Sequence, residues 1–309
     1  MQRAWNGLNE RAALQSQGLT PPRRGKKSKQ SGNPEDKPSR PEIAKNYKTI
    51  AKFITTDLNI TELIQRAFDE NIKETSTTNF CLTGLHTCGN LAATCLQVFN
   101  AQPNCRILCN IGCCYHLLQE AYNGPEFFGN KAVFSDSLNT LAPGFPLSRF
   151  LNEKQLKLGR NARMLAAQSL ERTINSKELP HISMYYRALL EVLLCQFDPT
   201  MKDTVQVGKI KKFNNFQEYL QICAKKLNMN EAICESENVK IVEQNYAVER
   251  LYLDLFYLLR MSFSPVLESL ILLDRLLYLH ENGHEQSYLL SVFDAVISPR
   301  HFGIVSVKR

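Results

Sequence analysis

No two of the fourteen glycines in this 309-residue chain stand two positions apart. A G-x-G turn is therefore absent, and with it the loop through which nucleotide-binding α/β domains let bare backbone approach a ribose or phosphate. No C-x-x-C pair occurs among the ten cysteines, which removes the usual spacing signal of a structural zinc site. Long apolar runs are scarce too: Glu268 and Asp274 interrupt the most apolar window, residues 266–279, so no membrane-spanning stretch is expected. Residues 1–10 are polar and unlike a signal peptide. The expectation is an intracellular protein, cytoplasmic or nuclear, with no membrane partner.

What is present is concentrated in two places. Residues 21–41 are rich in Pro, Gly, Ser and charge, with Arg23, Arg24, Lys26, Lys27, Lys29, Lys37 and Arg40 against Glu35 and Asp36. This basic run carries five of the seven net positive charges and reads as a solvated linker that could also attract RNA or an acidic partner. Seven of the ten cysteines fall between Cys81 and Cys114. Cysteine is commonly buried without a partner, so reduced thiols are the default and no metal is assigned; the alternative is zinc held by His86, Cys88, Cys113 or Cys114, and His116.

The cysteine-rich stretch is also where the fold is most legible. Residues 79–85 form a short apolar run that stops at the polar elbow His86-Thr87-Cys88-Gly89-Asn90. Residues 91–99 have a helical apolar period, with Asn90 placed to cap them. Residues 106–112 form a second buried strand, closed by Cys113-Cys114-Tyr115-His116. Two buried strands joined by one helix pair as a parallel crossover, so both elbows reach the same carboxyl edge, where ligands of open parallel sheets bind. Gly112 stands where a side chain would crowd whatever lies across from His86 and Cys88.

Either side of this stretch the pattern is coarser. Residues 1–17 carry a loose helical face, residues 47–55 are β-rich and predict a strand, and residues 60–72 have a helical period. Asp57, between the last two, is read either as the cap of that helix or as a ligand-binding acid past the strand end. A Phe-rich loop (Phe127, Phe128, Phe134, Phe145) follows the second elbow. Residues 160–281 read as mainly helical, with one helix over 239–261 and another starting at Ser264-Pro265 and ending at Asn282-Gly283. Residues 288–293 and 302–307 read as a closing antiparallel pair. The resulting division is a helix and basic linker over 1–46, central strands over 47–125, a helical insertion over 126–285 and closing strands over 286–309.

The run from Leu82 to Ala92, with Ile111-Gly112-Cys113-Cys114-Tyr115 at the next strand end, resembles the methyltransferase-like protein 25 family. Two further matches are Gly144-Phe145-Pro146-Leu147-Ser148 and the closing Phe293 to Phe302 stretch, in the family's order. The paired elbows resemble, more distantly, tRNA 2′-O-methyltransferases with a Cys-Cys-His-His sequence after the equivalent strand. At Asn90 the family usually has Asp. The resemblance implies an α/β fold with a Rossmann-like methyltransferase sheet, here without its first two strands and glycine-rich turn, and with a large helical insertion before the last strands. The chain is expected to be the carboxyl-terminal portion of such an enzyme, or a paralogue that has lost the cofactor half.

The same resemblance implies S-adenosylmethionine as cofactor, with Asp57, Cys88, Gly89, Gly112, Cys113 and Cys114 beside it, and the missing glycine turn predicts weak or no binding by this chain alone. His86 or His116 would be a general base toward a protein, RNA or small-molecule acceptor, oriented by Asn90 and Tyr115; the bland reading of each histidine is a satisfied structural residue. A non-catalytic binding module is the alternative function. A parallel sheet without its first strands exposes an edge, so self-association is expected as well.

Overall fold

A computed structural model describes residues 48–68, 79–124, 127–128, 131–132, 142–177, 179–197, 207–208, 210 and 212–309. The expected helix at 1–17, the basic run 21–41 and Phe134 lie outside the described residues. Backbone packing divides the chain into two units, Met1–Ile54 with Leu58–Ser76, and Thr55–Asp57 with Thr77–Arg309.

In the first unit, residues 48–54 make no strand, contrary to the sequence expectation. A strand needs a ladder partner, none of the described residues pairs with this segment, and Ile50 and Phe53 remain exposed. Helix α1 follows at Ile60–Phe68. Its first turn is capped by Asn59, whose Oδ1 accepts from the Glu62 amide at 3.1 Å, so the capping role expected of Asp57 belongs two residues later.

The second unit is built on β1 (Phe80–Thr87), α2 (Leu91–Ala101) and β2 (Cys105–Gly112). A 3₁₀ turn over Tyr115–Leu117 and a two-residue pairing of β3 (Phe127–Phe128) with β4 (Lys131–Ala132) come next. The helical block comprises α3 (Arg149–Glu153), α4 (Arg160–Ala166), α5 (Leu170–Ser176), α6 (Ser183–Phe197), α7 (Phe216–Leu227), α8 (Ser236–Asn245) and α9 (Glu249–Glu281). Strands β5 (Ser287–Ser291) and β6 (Phe302–Val307) end the chain.

The sheet order is β1-β2-β6-β5. Strands β1 and β2 are parallel, as the crossover argument requires, and β6 lies antiparallel between β2 and β5. One sheet face packs on α2 and α9, where Leu96, Phe99, Leu108, Leu272, Leu279 and Ile304 close a core. Each such side chain contributes about 1.5–3 kcal/mol through burial. The alternation of strand side chains places Leu85, Ile107, Val307, Tyr288 and Leu290 on the opposite face, and all five are exposed. Helices α6, α7 and α8 close a separate core around Leu193, Phe216, Tyr219 and Val239.

The sequence reading splits 239–261 from a helix starting at Ser264-Pro265, but α9 is one helix of 33 residues with Pro265 inside it. Proline removes one helical hydrogen bond and costs about 3 kcal/mol in a helix interior. Tertiary packing offsets this: Met261, Ser264, Glu268, Ile271, Leu272, Asp274, Arg275 and Leu279 are all buried, and Ser264 Oγ donates to the Gln168 carbonyl at 2.8 Å rather than capping a new start. Read as one helix, α9 is long and apolar enough to cross a membrane by length and composition, which corrects the expectation that no stretch qualifies. Its carboxyl-terminal half is committed to the sheet core and its buried charges to the network described below.

Candidate functional site

The elbows are fixed by backbone geometry before any side chain is considered. His86 at φ +64° and Gly89 at φ +57° both enter the left-handed region, turning the chain sharply from β1 into α2. Only glycine fits at 89, because a Cβ there would stand 2.6 Å from the carbonyl oxygen of Leu117, the residue that follows the second elbow. Thr87 joins the strands as they end: its buried hydroxyl donates to the Ile111 carbonyl at 2.8 Å, and the register sets Thr87 beside Gly112. The two elbows therefore touch at one sheet edge, the placement inferred from sequence.

Three sulfurs meet there. Cys88 Sγ lies 3.1 Å from Cys113 Sγ and Cys113 Sγ 3.6 Å from Cys114 Sγ, all three within 4.8 Å of one another. Cys88 is exposed, while Cys113 and Cys114 are half-buried. Burial raises the proton affinity of both half-buried thiols, reinforced by the neighbouring sulfur of Cys88. His86 and His116 are not part of this group of potential ligands, so the four-ligand combination of thiols and histidines is not assembled among the described residues.

Asn90 does not cap α2; it makes no capping hydrogen bond. Its side chain instead staples the first elbow to the chain beyond the second, accepting from the Gln119 amide at 2.8 Å and donating to Gln119 Oε1 at 2.7 Å and the Ala142 carbonyl at 3.3 Å. A Cβ at Gly144 would reach within 2.8 Å of Asn90 Oδ1, which explains the glycine that opens the 144–148 motif. Tyr115 is not available to orient an acceptor either. It is 2 % exposed, its hydroxyl donates to Glu268 at 2.9 Å, and burial followed by the Glu268 carboxylate pushes its phenol far above the ordinary range.

Gly112 is buried, and a Cβ there would meet the Arg275 guanidinium at 2.5 Å, beneath the elbow rather than across from His86 and Cys88. Asp57 is exposed in a loop, not at a strand end. His86 is exposed, and His116 is half-buried with its proton affinity lowered by burial and then by Arg160 and Arg163. At neutral pH His116 is therefore a neutral imidazole, the form that can accept a proton.

The floor of the site is a charged network that the sequence reading missed. Arg163, fully buried, pairs with the equally buried Glu120 and donates to the carbonyls of Tyr115, His116 and Leu118, so it holds the 3₁₀ turn in place. Glu120 also accepts from the Leu158 and Gly159 amides at 2.6 and 2.9 Å. Arg300 pairs with Glu268 at 3.1 Å, and the guanidiniums of Arg275 and Arg300 each lie 5.7 Å from the Tyr115 ring centroid. Asp274 accepts from the amides of Leu147 and Ser148 and from the Ser148 hydroxyl, at 2.6–2.9 Å. Tyr115, Leu147, Ser148 and Arg300 lie in stretches singled out by their motif resemblance, and Glu268 and Asp274 are the acids that interrupt the apolar window 266–279; nothing local marks Glu120, Arg163 or Arg275.

The space left by the missing side chain of Gly89 is filled by Leu117 and that of Gly112 by Arg275, so neither glycine opens onto a ligand cavity. What meets at this edge is two elbows, each bearing a histidine, and three thiols within 4.8 Å of one another.

A family model described as a methyltransferase domain matches residues 27–121, which contain β1, β2 and both elbows. The chain is 34 % identical over 266 residues to probable methyltransferase-like protein 25 of Mus musculus and 33 % identical over 266 residues to that of Homo sapiens, in each case over 85 % of this chain and 41 % of the relative. The match thus spans about two fifths of the length of these curated relatives. No solved structure matches.

Proposed function

We propose that this chain, which belongs to the methyltransferase-like protein 25 family, supplies the acceptor-side edge of an S-adenosylmethionine-dependent methyltransferase. The observation that carries the reading is the meeting of the 86–90 and 112–116 elbows at the carboxyl edge of β1 and β2, inside the segment matched by the methyltransferase model. Methyltransferase domains of this kind generally use S-adenosylmethionine. Leu117 fills the space beside Gly89 and Arg275 that beside Gly112, so the roles proposed here are those of the elbow side chains. His116 accepts a proton from an acceptor hydroxyl or amine, because its surroundings keep it neutral. His86, exposed at the mouth, contacts the acceptor. Glu120, Arg163, Glu268 and Arg300 hold the second elbow rigid beneath them, which is how a fold contributes positioning. The acceptor is a protein, an RNA or a small molecule, and the basic run 21–41 favours one carrying negative charge.

Calorimetric titration of S-adenosylmethionine into this chain and into full-length mouse methyltransferase-like protein 25 tests the reading. Binding by the mouse protein with weak or no binding by this chain is the expected result. Failure of both to bind overturns the methyltransferase reading and leaves a binding module built on the same sheet.

A further inference from the structure

We propose that Cys88, Cys113 and Cys114 form a three-thiolate site for a soft divalent cation, zinc in particular, with its fourth coordination position open at the sheet edge. The geometry requires little change. Zinc binds thiolate sulfur at about 2.3 Å in a tetrahedron, which sets ligand sulfurs about 3.8 Å apart. The sulfur separations here are 3.1 Å for Cys88 and Cys113 and 3.6 Å for Cys113 and Cys114, with all three sulfurs inside 4.8 Å. Shifts of about 1 Å or less at each sulfur bring the three around one ion.

The ligands are also preorganised. They come from two strand ends locked together by the Thr87 bond to Ile111 and by the close approach of Gly89 to Leu117, so the ion adds little ordering cost. Cys95, Cys105 and Cys223 are buried in cores, where a thiol is simply a small apolar group, whereas these three sit at the carboxyl edge of β1 and β2, where ligands of parallel sheets bind.

Metal binding displaces the three thiol protons, and three thiolates with one divalent cation carry a net charge of about −1. The Arg275 guanidinium lies beneath this edge, where a Cβ on Gly112, the neighbour of Cys113, would meet it at 2.5 Å. No carboxylate or imidazole joins the group among the described residues, which selects a soft cation over magnesium or calcium. Exposure of Cys88 leaves the fourth position to water or an incoming donor, the arrangement of a reactive rather than a closed structural site. The proposal does not depend on methyl transfer.

The test uses the whole chain, purified without an affinity tag, stripped with chelator under reducing conditions and titrated with Co(II) as an optical probe before displacement by Zn(II). One equivalent should bind with the visible and thiolate charge-transfer absorption of a tetrahedral thiolate site. Cys88→Ser should weaken binding by about 100-fold or more, as should Cys113→Ser and Cys114→Ser, while Cys109→Ser leaves it unchanged. Cys88 is exposed, so its variant keeps the fold, checked by circular dichroism, and decides the matter if the other two do not fold. Absence of cobalt binding to the reduced protein, equal affinity in Cys88→Ser and Cys109→Ser, or recovery of a Cys88–Cys113 disulfide with no metal capacity after reduction would each overturn the site.

Discussion

Arg163→Met probes the floor of the site most severely. The substitution keeps the length and apolar stem of the side chain but removes the cation from a fully buried pair and the donors from the carbonyls of Tyr115, His116 and Leu118. Glu120 then keeps only its amide bonds from Leu158 and Gly159 as a buried carboxylate. Breaking one side of such a pair costs about 3–5 kcal/mol, because the remaining charge is stranded. In a unit of this size each kcal/mol moves the thermal midpoint by about 2–4 °C, so a fall of about 6–20 °C is expected. Pairing it with Glu120→Gln removes the stranded charge and should recover about 1 kcal/mol or more, which a double-mutant cycle by urea denaturation measures. The loosened 3₁₀ turn should also speed alkylation of Cys114. A single-variant loss below about 1 kcal/mol, or a double variant no better than the single, refutes the reasoning.

The remaining predictions follow from individual contacts. Gly112→Ala places a Cβ against the buried Arg275 guanidinium and should destabilise the protein by about 1–3 kcal/mol, whereas Gly303→Ala, whose nearest neighbour is the Ile111 side chain at 3.3 Å, should cost less in the same denaturation assay. Folding lowers the proton affinity of His116 from its ordinary 6.5, so below that pH the unfolded chain takes up the proton first and stability falls as pH drops. His116→Gln should lose that part of the decline, seen as a shallower fall of the thermal midpoint below pH 6.5, with His284 supplying part of what remains. Among the described residues β1 pairs only with β2, and Leu85 on its open face is 60 % exposed; Leu85→Lys should therefore reduce self-association in sedimentation velocity.

The parts of the fold readable from sequence were those with a local signal. Strands β1 and β2 are apolar runs ended by polar turns, α2 has a helical period, and the parallel pairing follows from their spacing. Residues 48–54 show why β-propensity misleads when no neighbour supplies a ladder. Pro265 shows the reverse, a local helix-start signal overridden by packing along the rest of α9. In the site, the convergence of the elbows was legible but most side-chain roles were not. Asn90 looked like a cap because a cap is a local pattern, yet its partner Gln119 is 29 residues away. Arg163 and Glu120 are separated by 43 residues, and Glu268 and Tyr115 by 153; pairs at such distances leave no periodic trace in a single sequence.

The claim that the elbows form the working edge of a methyltransferase is tested most directly by site-resolved thiol alkylation in a chimera. In it, this chain replaces the matched region of mouse methyltransferase-like protein 25, and the metal-free protein is alkylated with and without S-adenosylmethionine. The account predicts that the cofactor slows modification of Cys88 and Cys113 by about ten-fold or more, as burial beside a bound ligand requires, while Cys195 on α6 reacts at an unchanged rate. Equal rates at Cys88 and Cys113 in a chimera that calorimetry shows to be saturated with cofactor would contradict it.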